Sequence, residues 1–335
     1  MRLSFARSVH FRVTRVAAVL PLAAALLAPL AASAVMMDWV TVGAPGNAAD
    51  TSPVNCGPSN TSPCGGVPYV YRIGKYEITN AQYAEFLNAV AATDTNWLYL
   101  EPPTSSTILR SGTPGSYRYT AGADFQNKPV VRVSFWAAMR FANWLHNGQP
   151  TGLQTAATTE DGAYTLTPAA IAANSVLRNA AASVFLPSEN EWYKAAYYDP
   201  IAGLYYDYPT GTNDETRCVD QLHDTGNSAN CWSGQQLSDV GAYRLSVSPS
   251  GTYDQGGNAS EYNEQIKFNS ERGLRGGSWS NDPDSLAAGN WSSFATPGVY
   301  NEIFGFRVAS VPEPSTGPLV LAGLGGLALR RRRRG

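Results

Sequence analysis

The chain has 335 residues, 44% hydrophobic and 11% aromatic; its 31 Gly and 22 Pro stay below the ~25–30% joint share that marks low-complexity disorder. The formal net charge of −2 conceals an asymmetry, because nine of the 24 Lys and Arg lie in the two ends, leaving 15 against 25 Asp and Glu between Val35 and Ser310. A core this acidic repels phosphate backbones and suits cations, so no nucleic-acid partner is expected.

In chain order, residues 1–34 carry Arg2, Arg7, Arg12 and Arg15 with no acid, then an Ala/Leu/Val run, then Ala32-Ser33-Ala34. That pattern predicts a signal peptide cut by signal peptidase before Val35. Cys56 and Cys64, like Cys218 and Cys231, form close pairs inside Gly/Asn/Ser-rich loops, and in an exported chain each pair reads as a local disulfide. Neither gap has the spacing of a zinc knuckle, the alternative use for such pairs.

Three helices are predicted from their caps. Thr79 with Gln82 forms a capping box before Asn80–Ala91, where Tyr83, Phe86, Leu87 and Val90 repeat at helical spacing. Ser134 caps Phe135–His146, and Ser188 with Glu191 caps a helix carrying Trp192, Ala195 and Ala196. Strands are expected at Tyr69–Tyr76, Val130–Val133 and Val184–Leu186, each running into a helix. From Asp199 to Arg307 the pattern gives only loops with strand-like pieces at Val240–Tyr243 and Phe304–Val308. The tryptophans at 136, 144, 192 and 279 read as core. One α+β domain, irregular and loop-rich, is expected over 35–310.

Residues 311–335 read Val-Pro-Glu-Pro-Ser, a short apolar Gly-rich stretch, then five arginines. This resembles the PEP-CTERM sorting signal of Gram-negative bacteria, which implies recognition by an exosortase and delivery to the cell surface or extracellular matrix. Five ordered blocks between the two ends resemble the formylglycine-generating enzyme, or sulfatase-modifying factor, family. They are Gly74-Lys75-Tyr76-Glu77-Ile78-Thr79-Asn80, Pro129-Val130-Val131-Arg132-Val133-Ser134, Leu186-Pro187-Ser188-Glu189-Asn190-Glu191-Trp192, Gly256-Gly257-Asn258-Ala259-Ser260-Glu261, and Arg275-Gly276-Gly277-Ser278 with Gly305-Phe306-Arg307.

The resemblance implies a C-type-lectin-like fold and calcium held by Asn258, Ala259 and Glu261, with a second ion near Asn230 and Asp239. Its oxidases hold copper(I) on two thiolates after the Arg-Gly-Gly-Ser block. By spacing Leu286 and Trp291 stand there, and no cysteine follows Cys231. Iron is equally unexpected, since outside the leader the chain keeps only His146 and His223.

Catalytic residues are therefore not assigned. The expectation is a binding or structural module of the envelope or exopolysaccharide; a metal-dependent modifying enzyme acting on an exported envelope protein is the alternative. Trp291, Phe294 and Tyr300 form a candidate ligand-contact loop, since aromatics among Asn and Ser stack on sugar rings. Arg275 and Arg307 are read as buried structural partners for Glu189 or Glu191.

Overall fold

The computed structural model describes residues 34–56, 63–101, 107–232, 236–290 and 294–311. All but Ala34 of the expected leader, all but Val311 of the sorting signal, and Trp291 lie outside the described residues. Among those described, no helix is long and apolar enough to cross a membrane.

Capping side chains set the helix starts as expected. In α1 (Asn80–Val90) the Thr79 hydroxyl accepts from the Gln82 amide and the Gln82 side chain returns to the Thr79 amide. Ser134 accepts from Ala137 N at the head of α2 (Phe135–His146), and Ser188 forms the second capping box, with Glu191, on the helix Glu189–Tyr197. A short helix, Pro168–Ala172, capped by Thr167 with Pro at its first turn, precedes it in the chain; these two are α4 and α3. α1 and α2 meet through Tyr83, Phe86, Phe141 and Trp144, which close over Phe306 in edge-to-face and tilted contacts, such as Phe86–Phe141 at 5.3 Å and Phe141–Phe306 at 5.5 Å.

Strands from both ends of the domain form one antiparallel sheet. β1 (Trp39–Val42) pairs with β2 (Tyr71–Gly74), and β2 pairs with a two-residue strand at Ala309–Ser310, whose other edge takes Val184–Phe185. The register sets Ile73 and Phe185 on either side of Ala309. A second sheet is built on a hairpin, Ser260–Lys267 with Glu271–Arg275, bulged between Tyr262 and Ile266. Phe294–Ala295 joins one edge antiparallel, and Phe304–Gly305 joins the other in parallel. Smaller ladders complete a mixed, loop-rich α+β fold, including Ile108–Ser111 with Arg118–Ala121.

Several expectations need correction. Val130–Val133 makes no ladder strand: Val130 N donates to Ile78 O and Arg132 N to Asn301 O, and Arg132 has a left-handed φ of +58°, which breaks the extension. Val240–Tyr243 is a turn, closed by Ala242 N on Asp239 O. The longest hairpin of the described fold falls where only loops were expected, because Glu261, Asn263, Arg272 and Arg275 are buried in it beside Tyr262 and Leu274, so that period-2 hydrophobicity is missing. Trp136, Trp144 and Trp192 are core, while Trp279 is only half-buried.

Candidate functional site

The Gly-Asn block is a tight turn. Gly257 has a φ of +83°, and a Cβ there would lie 2.5 Å from the Asn230 carbonyl oxygen, so only glycine fits. The turn aims Asn258 inward, where its Oδ1 accepts from Ser238 N (3.0 Å) and Asn230 Nδ2 (3.2 Å) and its Nδ2 donates to Glu77 Oε2 (3.2 Å). Ala259 N donates to Glu77 Oε1 at 3.1 Å. Glu261, fully buried, takes Arg307 Nε and Nη2 at 2.6 Å each and Trp192 Nε1 at 2.7 Å. The remaining Arg307 donors go to the Gly74 and Tyr253 carbonyls.

This arrangement bears on the calcium expectation. The donors are all oxygen, as a hard cation requires, but a cation on Glu261 would sit against a guanidinium that already holds both carboxylate oxygens. Asn258 Oδ1 is likewise filled by two donors, and Asp239 faces Lys128 at 3.7 Å. As arranged, Asn258, Ala259 and Glu261 do not make an open cation site. Among the described residues, the one set of three His, Cys, Asp or Glu ligand atoms within 4.8 Å of each other is Asp50, Cys56 and Cys64, whose two sulfurs are bridged.

The acids not matched by Arg307 are Glu77 and Asp254. Burial, reinforced by Asp254 and Glu261, pushes the Glu77 carboxyl well above the usual range, and burial raises Asp254 to about 6. Burial works against the charge of Arg307 too, yet the Glu261 carboxylate holds it raised.

The other expected ion pairs are partly exchanged. Arg275 does pair with Glu189 and also donates to the Ala288 carbonyl. Arg307 pairs with Glu261, and Glu191 belongs to Arg178, which also grips Glu264. Burial opposes ionisation of Glu191, but Arg178 wins and lowers its pKa. Sequence reasoning did not single out Glu77, Asp254, Arg178 or Glu264.

All four cysteines are bridged as expected, Cys56 to Cys64 and Cys218 to Cys231, with Cα separations of 5.6 and 4.8 Å. Leu286 is fully buried and packs with Tyr208, Ala229 and Cys231. The aromatics of the candidate contact loop have separate neighbours. Phe294 packs on Phe268 with Lys267 over its ring, whereas Tyr300 donates to the carbonyl of Trp97 at 2.7 Å. Trp97, exposed and left-handed at φ +56°, is an aromatic that the sequence reading passed over.

An open groove of about 730 Å³ lies over the buried acids. Asp38 borders it ahead of β1, Tyr76 and Glu77 ahead of α1, and Asp239, Gly241 and Arg244 from the facing loop. Gly241 ties wall to interior: its N–H donates to Asp254 Oδ2 at 2.6 Å, and at φ +70° a Cβ would meet the Tyr76 ring at 2.5 Å.

Comparison with known proteins agrees with the blocks and the fold. Residues 55–311 match the sulfatase-modifying factor enzyme 1-like domain, and residues 310–334 match the PEP-CTERM protein-sorting motif. A hercynine oxygenase of Mycobacterium tuberculosis is 25% identical over 253 residues, 66% of this chain, which spans about half (48%) of that relative's length. Two solved structures share the fold. The crystal structure of CarF has a TM-score of 0.51 at 20% identity, covering 83% of this chain and 99% of that one. The Treponema denticola variable protein 1 has the same score and identity, covering 84% and 98%. With more than half its length matched, the chain belongs to the sulfatase-modifying factor enzyme 1-like family and carries a PEP-CTERM motif for export and sorting to the cell surface.

Proposed function

We propose that this exported domain is a non-catalytic binding or structural module of the envelope or exopolysaccharide, delivered by an exosortase. The carrying observation is the state of its sulfur: every cysteine is committed to one of two disulfides, and a buried leucine stands at a thiolate position expected after the Arg-Gly-Gly-Ser block. A copper(I) ion needs two soft thiolates, and Leu286 offers none. The sorting motif supports a surface role, because it marks the domain for export and sorting to the cell surface.

The likeness to a hercynine oxygenase favours a second reading, a metal-dependent enzyme modifying an exported protein. Against it, His146 Nδ1 is engaged by Ser183 at 2.7 Å and His223 is exposed in a separate loop. In the proposed state the charge of Glu261 is neutralised by Arg307.

Sedimentation of the purified protein with exopolysaccharide from a producing strain tests the reading. Saturable co-sedimentation, unchanged by a calcium chelator, is expected. Absence of any polysaccharide or envelope-protein binding, together with metal-dependent turnover, would establish the enzyme instead.

A further inference from the structure

The first buried residue described, Val35, is also the residue that follows the expected leader. Ala34 is exposed, whereas Val35 is 7% exposed and joins the main hydrophobic core. Both backbone groups of Val35 are held by one side chain: its N donates to Gln149 Oε1 at 2.6 Å, and Gln149 Nε2 donates back to its carbonyl at 3.0 Å. One residue on, the Met36 carbonyl accepts at 3.0 Å from Gln82 Nε2, on the side chain that closes the capping box of α1, and the Asp38 carbonyl accepts from Lys75 N. Gln149 stands just past the end of α2, its own N bonded to the Trp144 carbonyl and its φ at +62° directly ahead of Pro150. A non-glycine residue is strained there, and the residue before a proline is steered toward extended backbone, so Gln149 is held against its local preference.

We propose that Gln149 is a clamp for the mature N-terminus, receiving the α-ammonium group that removal of the leader sets free on Val35. Hydrolysis by signal peptidase adds water across the Ala34–Val35 bond and leaves a carboxylate on Ala34 and an ammonium on Val35. The amide of the uncut chain offers Gln149 one N–H, whereas the ammonium offers three and a charge. The carbonyls at the end of α2 favour a cation on that side. With Val35 buried and both of its backbone groups taken, its bond to Ala34 cannot extend into a peptidase cleft, which puts the cut before docking. Docking then fastens residues 35–38 as a strap from the end of α2 to the head of α1. The inference is independent of what the domain binds.

N-terminal mass analysis of the exported protein and timed digestion with an aminopeptidase test this. The exported chain should start at Val35, and a purified chain carrying Ser33-Ala34 in front should be trimmed to Val35 and stop. Gln149→Gly keeps the left-handed turn at no steric cost and removes the clamp, so Val35 should be released at least about fivefold faster, as expected for two lost hydrogen bonds. Circular dichroism verifies that the variants fold. A start at another residue, trimming of the parent straight through Val35, or equal rates in parent and variant would each overturn the clamp. Melting temperature tests the ammonium. Gln149→Glu should melt no lower than the parent when the Val35 amine is free, and lower when that amine is acetylated, because a carboxylate gains only from the charged group. The same shift with free and acetylated chains would overturn the ammonium inference.

Discussion

The helical layer of α1 and α2, from Asn80 to His146, and the segment from Asn258 to Arg307 are both buried, and they are held by different physics. The first is apolar: Tyr83, Phe86, Leu87, Phe141 and Trp144 fill the space between α1 and α2, and each helix starts at a cap written beside it. The second buries charge. Glu261 with Arg307 and Arg275 with Glu189 are satisfied pairs, and Arg272, fully buried, spends its guanidinium on the Asn174 side chain and nearby carbonyls. Apolar packing degrades gradually when a side chain is trimmed, whereas a buried pair is intolerant of losing one member and indifferent to how the sequence around it is patterned.

Removing a guanidinium should show the difference most sharply. Arg307→Met leaves Glu261, Glu77 and Asp254 buried with no cation among them, and a loss of about 3–5 kcal/mol or more is expected in urea unfolding. In the apolar segment, Leu87→Ala should cost about 2–5 kcal/mol, according to how far the site collapses. An Arg307 variant that loses less than the Leu87 variant would break the comparison. Opening Cys218–Cys231 by substituting both with Ser should cost about 3 kcal/mol through the unfolded chain, with the hairpin's ion pairs intact.

The smallest effect is in pH. Glu77 and Asp254 have raised pKa values in the folded state, so the folded protein holds their protons more tightly than the unfolded chain does. Their contribution is complete below the unfolded value and is lost as pH rises through the folded one, for Asp254 between 3.8 and about 6. Stability should therefore decline over that interval, against the rise that Glu191 gives through its lowered pKa. Glu77→Gln should flatten the decline; an unchanged slope, read from melting temperature against pH, would remove Glu77 from the account.

What could be read from the sequence follows the same division. Caps are local, so Thr79, Ser134 and Ser188 could be placed from neighbours three residues away, and close cysteine pairs announced both disulfides. The hairpin at Ser260–Lys267 could not, because Glu261 and Asn263 are buried on either side of Tyr262 and the partners of its acids lie far along the chain, 46 residues for Glu261 and 86 for Glu264 with Arg178. Glu77 left one usable trace, an acid between Tyr76 and Ile78 just ahead of a helix cap. Nothing local to Arg178 distinguishes it from a solvated loop arginine.

The central claim is that a family scaffold is kept here without the thiol chemistry of its oxidases. The most direct measurement incubates the purified protein with copper(I) and a cysteine-bearing sulfatase-type peptide and follows the peptide by mass spectrometry. The account predicts an unchanged cysteine and no stoichiometric copper on the protein, because both disulfides leave no thiolate pair. Catalytic conversion of the cysteine to formylglycine would contradict it.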